Sequence, residues 1–309
     1  MRSLPFFASA ALLAVAIGAH ADNRAEVVQT GNDNDASIEQ SGPLNEAVVR
    51  QNGTANNSEV YQLEGGESNL ASVVQIGGNN DVAVYQGPDS HFGSATIYQE
   101  GSSNRAEVEQ TWYANDLLLS SIGENNFIAA TQQGFAQAQA YQIGDDNSIT
   151  LTQDGIYHGT RMAVYQVGDE NRATVDQGDA GNIQLAQNGN SNSADVRQSA
   201  LFGDIAFNQA GDNNLLSVDQ TGRGHEFRGW SIGNDNSVEL VQQFDGNQAS
   251  VVQNGDENLA AIRQTAEYNE ARITQTGAAN QAAITQSAAM MNALIVQTGS
   301  GNQATITQQ

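Results

Sequence analysis

A period of two residues runs through nearly the whole chain. In the stretch that starts at Asn23, the small or aliphatic Ala25 and Val27 alternate with mixed, often charged residues, and the stretch ends in Gln29 and Gly31. Alternate residues of a β-strand face the same side, so Asn, Ala, Val and Gln would point inward together. The pattern predicts half-buried strands, because a helical period would scatter the apolar positions around the helix.

This stretch is one copy of an eleven-residue unit, Asn-x-Ala-x-Val-x-Gln-x-Gly-x-x, which occurs 26 times. The Ala and Val columns are each apolar in 25 of the 26 units, and the Gln column holds Gln in 24. Five joins depart from eleven residues, and all five follow an even-numbered unit. The 13 joins inside the odd–even pairs all read Gly-x-x-Asn. The repeat is therefore a pair of units, with one fixed turn inside it and one variable turn after it.

Two strands and two turns make one rung, and a single rung cannot bury its apolar face without neighbours. We therefore predict an all-β, parallel, in-register β-solenoid of 13 rungs, with about 4.8 Å between stacked strands. A buried Gln costs about 1–3 kcal/mol if its amide is unpaired. Stacking resolves this cost, because each side-chain amide can bond to the one in the next rung, as in cross-β ladders.

The predicted structural residues fall into three groups. The ladders are expected to include Gln29, Gln40, Gln51, Gln253, Gln264 and Gln275, together with Asn34, Asn56, Asn258 and Asn280, and the turn glycines include Gly31, Gly53, Gly255 and Gly277. Two rungs are expected to be weaker because Ser121 and Ser231 interrupt the Gln column.

The first residues predict a secretory signal peptide. Arg2 precedes an apolar stretch from Leu4 to Ile17, which is shorter than the roughly 20 residues of a membrane-spanning helix. The sequence Ala19-His20-Ala21 has the small-x-small form of a cleavage site. We assign residues 1–21 to the signal peptide and residues 22–309 to a single solenoid domain. The protein is accordingly expected to be secreted, without membrane insertion.

Composition excludes several classes of protein. The 309 residues include 35 Asp and Glu against 11 basic residues, all of them Arg, for a net charge of -24. Such a surface repels phosphate, so we expect no nucleic-acid partner. There is no Cys, which excludes disulfides, thiolate zinc sites and a cysteine nucleophile.

The repeat resembles the curlin repeat family, the subunits of bacterial curli fibres, whose unit reads Ser-x5-Gln-x-Gly-x-x-Asn-x-Ala-x3-Gln. The segment Gln29-x-Gly31-x-x-Asn34-x-Ala36-x3-Gln40 matches from the first Gln onward, as do the segments that begin at Gln99 and Gln253. Segments 101–106 and 299–302 are most similar to the minor, nucleating type of subunit.

The resemblance implies a structural subunit of an extracellular functional amyloid fibre, used in cell adhesion and biofilm matrix. Its partners would be copies of itself or other curlin subunits, and an outer-membrane curli-type secretion channel. Three features depart from the family. The chain has more repeats than is usual, Asn generally replaces the opening Ser, and no Gly-rich leader separates Ala21 from Asn23.

Assembly is expected to proceed end to end. Unpaired sheet edges template pairing with other chains. No charge cluster or Pro that would cap an edge adjoins Gln308-Gln309, and no Pro adjoins Asn23, so both ends are expected to be open. A contact of this head-to-tail kind does not close, so growth would be open-ended. The negative charge is expected to restrain assembly, because stacking brings like charges close together.

Other functions find less support in the sequence. His91, His158 and His225 have no Ser or carboxylate partner at recurring spacing, so we expect no catalytic residue, no cofactor and no enzyme. Acids of the fixed turn, such as Asp145 and Asp146, would suit calcium. Ala occupies the same places at residues 278–279, however, which favours solvated acids and no metal site.

Two further alternatives concern binding. Ice or glycan binding would show as a regular array of outward Thr or aromatic residues, and the outward positions are irregular over the 13 rungs. The main alternative to a fibre subunit is a secreted β-solenoid adhesin that does not polymerise, or a fibre-nucleating or accessory protein. The state of the two ends of the solenoid, open or covered, distinguishes these functions.

Overall fold

A computed structural model describes residues 12–16, 22–63, 65–178 and 180–309, and these residues form β-strands and turns with no helix. The strands are β1 (Leu12–Ala16), β2 (Arg24–Asn32), β3 (Asp35–Gln40), β4 (Glu46–Thr54), β5 (Asn57–Gln62), β6 (Leu70–Gly78), β7 (Asp81–Gln86), β8 (Ser94–Ser102), β9 (Arg105–Thr111), β10 (Asp116–Glu124), β11 (Phe127–Ile143), β12 (Ser148–Val167), β13 (Arg172–Gly178), β14 (Gly181–Asn188), β15 (Ser193–Leu201), β16 (Gly203–Ala210), β17 (Leu215–Arg223), β18 (Glu226–Ile232), β19 (Ser237–Gln242), β20 (Gln248–Asn254), β21 (Leu259–Gln264), β22 (Glu270–Thr276), β23 (Gln281–Gln286), β24 (Asn292–Thr298) and β25 (Gln303–Gln308).

From β2 onward the strands alternate between two parallel sheets. The first sheet holds β2, β4, β6, β8, β10, the C-terminal parts of β11 and β12, and the even-numbered strands from β14 to β24. The second sheet holds β3, β5, β7, β9, the N-terminal parts of β11 and β12, and the odd-numbered strands from β13 to β25. The predicted all-β, parallel, in-register solenoid of about 13 rungs is confirmed.

Register follows the repeat. Ala47 lies opposite Ala71, and Gln51 lies opposite Gln75. Between β11 and β12 the pairing shifts, because residue 135 lies opposite the longer segment 156–159. The alignment is restored at once, so differences in length are absorbed by the variable turn and do not reach the strands.

The core is a thin double column of small and aliphatic side chains. Ala47 and Val49 are fully buried, and their counterparts Ala71 and Val73 in the following rung are buried likewise. One rung departs from this pattern, because Phe227 stacks on Phe207 of the preceding rung with 5.3 Å between ring centroids. A Cβ atom on Gly229 would lie 3.0 Å from the Phe207 ring. Gly229 therefore leaves space for the Phe207 ring, which is larger than the aliphatic side chains at this position in other rungs.

The fixed turn depends on glycine. Gly53 has φ of 140°, a conformation that only glycine adopts without strain. A Cβ atom there would also lie 1.8 Å from the carbonyl oxygen of Gly77 in the next rung. The column is therefore glycine for two reasons, backbone conformation and the close approach of the neighbouring rung.

At the N-terminal end, β1 pairs in parallel with β3, so that Leu12 lies opposite Ala36. This strand falls within the predicted signal peptide, and its pairing does not test that prediction. The predicted cleavage site at residues 19–21 lies outside the described residues. Across the described part of the chain, no helix has the length and apolar character needed to span a membrane.

Candidate assembly interface

The Gln column of the second sheet is an unbroken chain of side-chain hydrogen bonds. Nε2 of Gln40 donates to Oε1 of Gln62 at 2.8 Å, and the same bond recurs at every step up to Gln286 and Gln308. The amide also ties the two sheets together within a rung, since Nε2 of Gln264 donates to the carbonyl of Gln248 at 3.1 Å. From Gln62 to Gln286, each buried Gln amide of this column thus has a hydrogen-bond partner in both neighbouring rungs.

The Gln column of the first sheet is interrupted at the two predicted positions. The hydroxyls of Ser121 and Ser231 donate to Oε1 of Gln142 and Gln253, at 3.2 and 2.9 Å. A serine is too short to reach in the other direction. Each serine thus keeps a hydrogen bond to the Gln of the following rung, and the Gln column is broken on the N-terminal side of each serine.

The Asn column of the fixed turn runs in the opposite direction. Nδ2 of Asn56 donates to Oδ1 of Asn34 at 2.9 Å, and the backbone N–H of Asn56 donates to the same oxygen at 3.1 Å. The backbone bond repeats at every rung up to Asn302. Oε1 of each Gln therefore accepts from the N-terminal side, whereas Oδ1 of each Asn accepts from the C-terminal side. Nδ2 of Asn56 also donates to the carbonyl of Gly77 in the following rung at 3.0 Å.

The predicted residues all lie in these columns. Gln29, Gln51, Gln253 and Gln275 belong to the first-sheet Gln column, Gln40 and Gln264 to the second-sheet column, and Asn34, Asn56, Asn258 and Asn280 to the Asn column, while Gly31, Gly53, Gly255 and Gly277 occupy the fixed turn at positive φ.

The variable turn contains a second column that the sequence analysis did not identify. The backbone N–H of Asn69 donates to Oδ1 of Asn45 at 3.0 Å, and similar bonds recur near the C-terminal end. His225 takes an Asn position in this column. It is buried, and its Nδ1 accepts the backbone N–H of Asn247 at 3.3 Å. The sequence does contain a signal for this role of His225, because it stands at the start of an eleven-residue unit, where Asn is the commonest residue.

The acids of the fixed turn also accept backbone hydrogen bonds. Oδ1 of Asp169 accepts the N–H of Asp145 at 2.9 Å, and Oδ1 of Asp256 accepts the N–H of Asn234 at 2.8 Å. No three His, Cys, Asp or Glu side chains in the described part of the chain are grouped so that they could hold a metal ion. The exposed acids therefore form a further ladder along the turn.

The C-terminal end of the solenoid presents the repeat columns of both sheets in cross-section, whereas at the N-terminal end β2 is open and β3 is paired with β1. Ala25 is exposed and Val27 is half-buried in β2, although their counterparts Ala47 and Val49 are fully buried. Ala304 and Ile306 in β25 are likewise half-buried and pack against the core. The outer edges of β2, β24 and β25 have no paired strand among the described residues. These edges offer the backbone and side-chain groups that an interior rung uses.

Two segments of the chain, residues 21–42 and 233–265, match the family model described as the curlin associated repeat. The chain carries curlin repeats. The first match covers the first rung, and the second covers β19, β20 and β21. The comparison with curated proteins finds no match for this curlin-repeat protein. Rungs outside the two matched segments are joined by the same Gln and Asn ladders, so the family prediction is confirmed and the fold is consistent with a curli-like structural subunit.

Proposed function

We propose that this curlin-repeat protein is a structural subunit of an extracellular curli-like amyloid fibre, and that the fibre grows by end-to-end stacking of the solenoids. The observation that carries the proposal is the complementarity of the two ends. Gln308 uses its Nε2 to donate to the carbonyl of Asn292 within its own rung, which leaves the second hydrogen directed outward. At the other end, Oε1 of Gln29 faces outward, because the Gln column accepts from the N-terminal side.

In the structure β1 pairs with the outer edge of β3, so the join requires removal of the predicted signal peptide, which contains β1. A second copy that starts at Asp22, placed with its first rung on the last rung, continues every column. Gln297 would meet Gln29 of the next copy, Gln308 would meet Gln40, and the apolar columns would meet in the same order. The Asn column would also continue, since Oδ1 of Asn302 is the acceptor that an interior rung uses for the next backbone N–H. Equivalent residues of the two copies would face each other across this join as they do between two interior rungs.

Charge supports the same arrangement. The last charged residue is Arg272, so residues 273–309 carry no charge, whereas the first rung contains Arg24, Glu26, Asp33, Asp35 and Glu39. The join therefore places a neutral end against a charged one and avoids stacked like charges. Secretion, export through an outer-membrane curli-type channel, and a role in adhesion and biofilm matrix belong to this proposal and are supported by the family match.

The test uses the chain from Asp22 onward, incubated at neutral pH and examined by thioflavin fluorescence, electron microscopy and fibre diffraction. Filaments with a meridional reflection at about 4.7–4.8 Å would support the proposal. A β-rich product that stays monomeric at high concentration would contradict it and would favour the non-polymerising adhesin. A nucleating or accessory role would be favoured if the chain forms no filaments itself but shortens the lag of another curlin subunit.

A further inference from the structure

A groove of about 870 Å³ crosses the outer face of the first sheet in the middle of the solenoid. It extends from Thr96 in β8 to Gly229 in β18, which is six register steps. Six steps of about 4.8 Å give roughly 29 Å. Its floor consists of small outward side chains, Ala163, Ala186 and Ala206. The groove is distant from both ends, so it has no part in the stacking of copies.

Tyr165 is the exposed aromatic residue that lines the groove, and Trp230 lies just beyond its C-terminal end, next to Gly229. Tyr165, Ala186, Asn208 and Trp230 occupy one outward column in successive rungs. The two aromatic residues are thus three register steps apart, or about 14 Å. Tyr165 and Trp230 are 41% and 46% exposed. Tyr165 stacks on Tyr141 of the preceding rung, with 5.2 Å between centroids and 1° between ring planes. This contact fixes the Tyr165 ring and leaves its other face toward Ala186.

Side-chain amides supply the polar groups of the groove. Gln137, Gln139, Gln184 and Asn208 all line it. Nη2 of Arg161 donates to Oε1 of Gln137 at 3.3 Å, and the Tyr165 hydroxyl donates to Oε1 of Gln139 at 3.5 Å. An amide offers both donors and an acceptor, as a hydroxyl does. The lining is therefore suited to a ligand with many hydroxyl groups.

The adjoining edge of the sheet contains polar groups without partners. A second cavity of about 570 Å³ shares Gln137, Arg161 and Gln184 with the groove. It is also lined by Thr160, which is 2% exposed and whose Oγ1 has no hydrogen-bond partner, and by Asn182, whose buried Oδ1 has none. Buried polar atoms without partners are uncommon and call for an explanation, such as a bound water or ligand.

The charges that line the groove and the net charge of the chain limit the class of ligand that the groove could bind. Asp116 and Arg161 are the charged residues among those that line the groove, and they carry opposite signs. The chain as a whole carries -24, which disfavours an anion. A cation would find more carboxylates in the fixed turns than in the groove. The length of the groove, roughly 29 Å, suits an extended ligand.

We propose that this groove binds an extended, uncharged polysaccharide strand. The apolar face of a pyranose ring would pack on Tyr165, a strand that continues past Gly229 would reach Trp230, and the amides would bond to the hydroxyls. The proposal does not depend on fibre formation, because the groove faces sideways and stays open whether or not copies stack. The outward columns look irregular over the 13 rungs in the sequence. The rungs from β8 to β18, however, bring aromatic, amide and small residues together on one face.

The test is calorimetric titration of the soluble chain from Asp22 onward with cellohexaose, xylohexaose and laminarihexaose, and with hexagalacturonate as the anionic probe. We expect at least one neutral hexaose to bind, hexagalacturonate to bind more weakly, and Tyr165→Ala and Gln184→Ala each to weaken binding at least tenfold. Tyr85→Ala is the matched control, because Tyr85 is an exposed tyrosine on the other sheet. It should leave binding unchanged, and circular dichroism should show that all variants keep the β-fold.

Three results would overturn the proposal. One is no binding of any neutral hexaose at millimolar concentration, and another is equal loss of binding in Tyr85→Ala. The third is that Tyr165→Ala abolishes side-by-side association of filaments in the absence of any saccharide binding. In that case the groove is a contact between copies of the chain.

Discussion

Nε2 of Gln286 donates to Oε1 of Gln308 at 2.9 Å, with the same geometry that joins Gln264 to Gln286 one rung earlier. The last rung therefore makes the same Gln–Gln hydrogen bond as an interior rung. The half-buried state of Ala304 and Ile306 agrees with this, because both would be buried by one more rung. The following predictions test whether the chain behaves as such a structure requires.

The turn glycines allow folding and assembly to be separated. Gly255 and Gly299 both have positive φ, of 124° and 106°, so alanine adds backbone strain of about 1–3 kcal/mol at either. In Gly255→Ala the new Cβ would also lie 2.1 Å from the carbonyl of Gly277, whereas in Gly299→Ala the nearest atom is 3.6 Å away. We expect Gly255→Ala to lose a further 1–3 kcal/mol or so of stability from overpacking, measured by urea unfolding of the monomer.

Gly299→Ala should instead slow the elongation of seeded filaments, because its Cβ would meet Gly31 of the next copy as Gly255 meets Gly277. Elongation by Gly299→Ala at the wild-type rate, from a stably folded monomer, would count against stacking of the last rung on the first.

The Gln ladder should contribute measurably to stability. Gln264 is fully buried, accepts from Gln242 at 2.8 Å and donates to Gln286 at 2.9 Å. Gln264→Ala would leave a donor of Gln242 and the acceptor of Gln286 without partners, at about 1–3 kcal/mol each. We expect a loss of that order in urea unfolding. Gln281→Ala is the control, because Gln281 is exposed on the outward face of β23, and its loss should be within about 0.5 kcal/mol. Equal effects in both variants would exclude a stabilising ladder.

Repulsion between carboxylates should limit the rate of assembly. The chain carries 35 acidic residues against 11 basic ones. Lowering the pH toward the ordinary carboxyl range of about 4 removes charge, and sodium chloride screens it over about 8–10 Å. Both changes should shorten the lag time of thioflavin fluorescence. A lag time that responds to neither would show that charge does not restrain assembly.

Tyr98 should titrate at unusually high pH. Its hydroxyl donates to Oε2 of Glu100 at 2.6 Å, and this hydrogen bond, together with burial and the negative charge of Glu100, raises its pKa above 10.0. The contact thus stabilises the fold below pH 10 and is lost as the pH rises through the raised pKa. In an ultraviolet titration, the component that disappears in Tyr98→Phe should move back toward pH 10 in Glu100→Gln. An unchanged midpoint in Glu100→Gln would rule out the carboxylate as the cause.

The sequence was sufficient to predict the rungs, the sheets and the members of the Gln and Asn columns. Each of these follows from a local period, because stacking places like residues such as Gln51 and Gln75 opposite each other. Features that depend on unlike neighbours were not predicted. The fit of Phe207 beside Gly229, the Asn-like position of His225, and the groove that Tyr165 and Gln184 line arise from residues in different rungs that follow no period. The direction of the ladders was also absent from the sequence, since an amide can be turned either way.

The side-chain carbonyl groups of the Gln and Asn ladders face opposite ends of the solenoid. Aligned amide dipoles add along a column, as peptide dipoles do along a helix. Oε1 faces the N-terminal end in both Gln columns, whereas Oδ1 of the Asn column in the fixed turn faces the C-terminal end. The opposed carbonyl dipoles partly cancel, so each rung adds a smaller dipole than the Gln columns alone would give. A longer rod would therefore concentrate less charge at its tips than the Gln columns alone would place there.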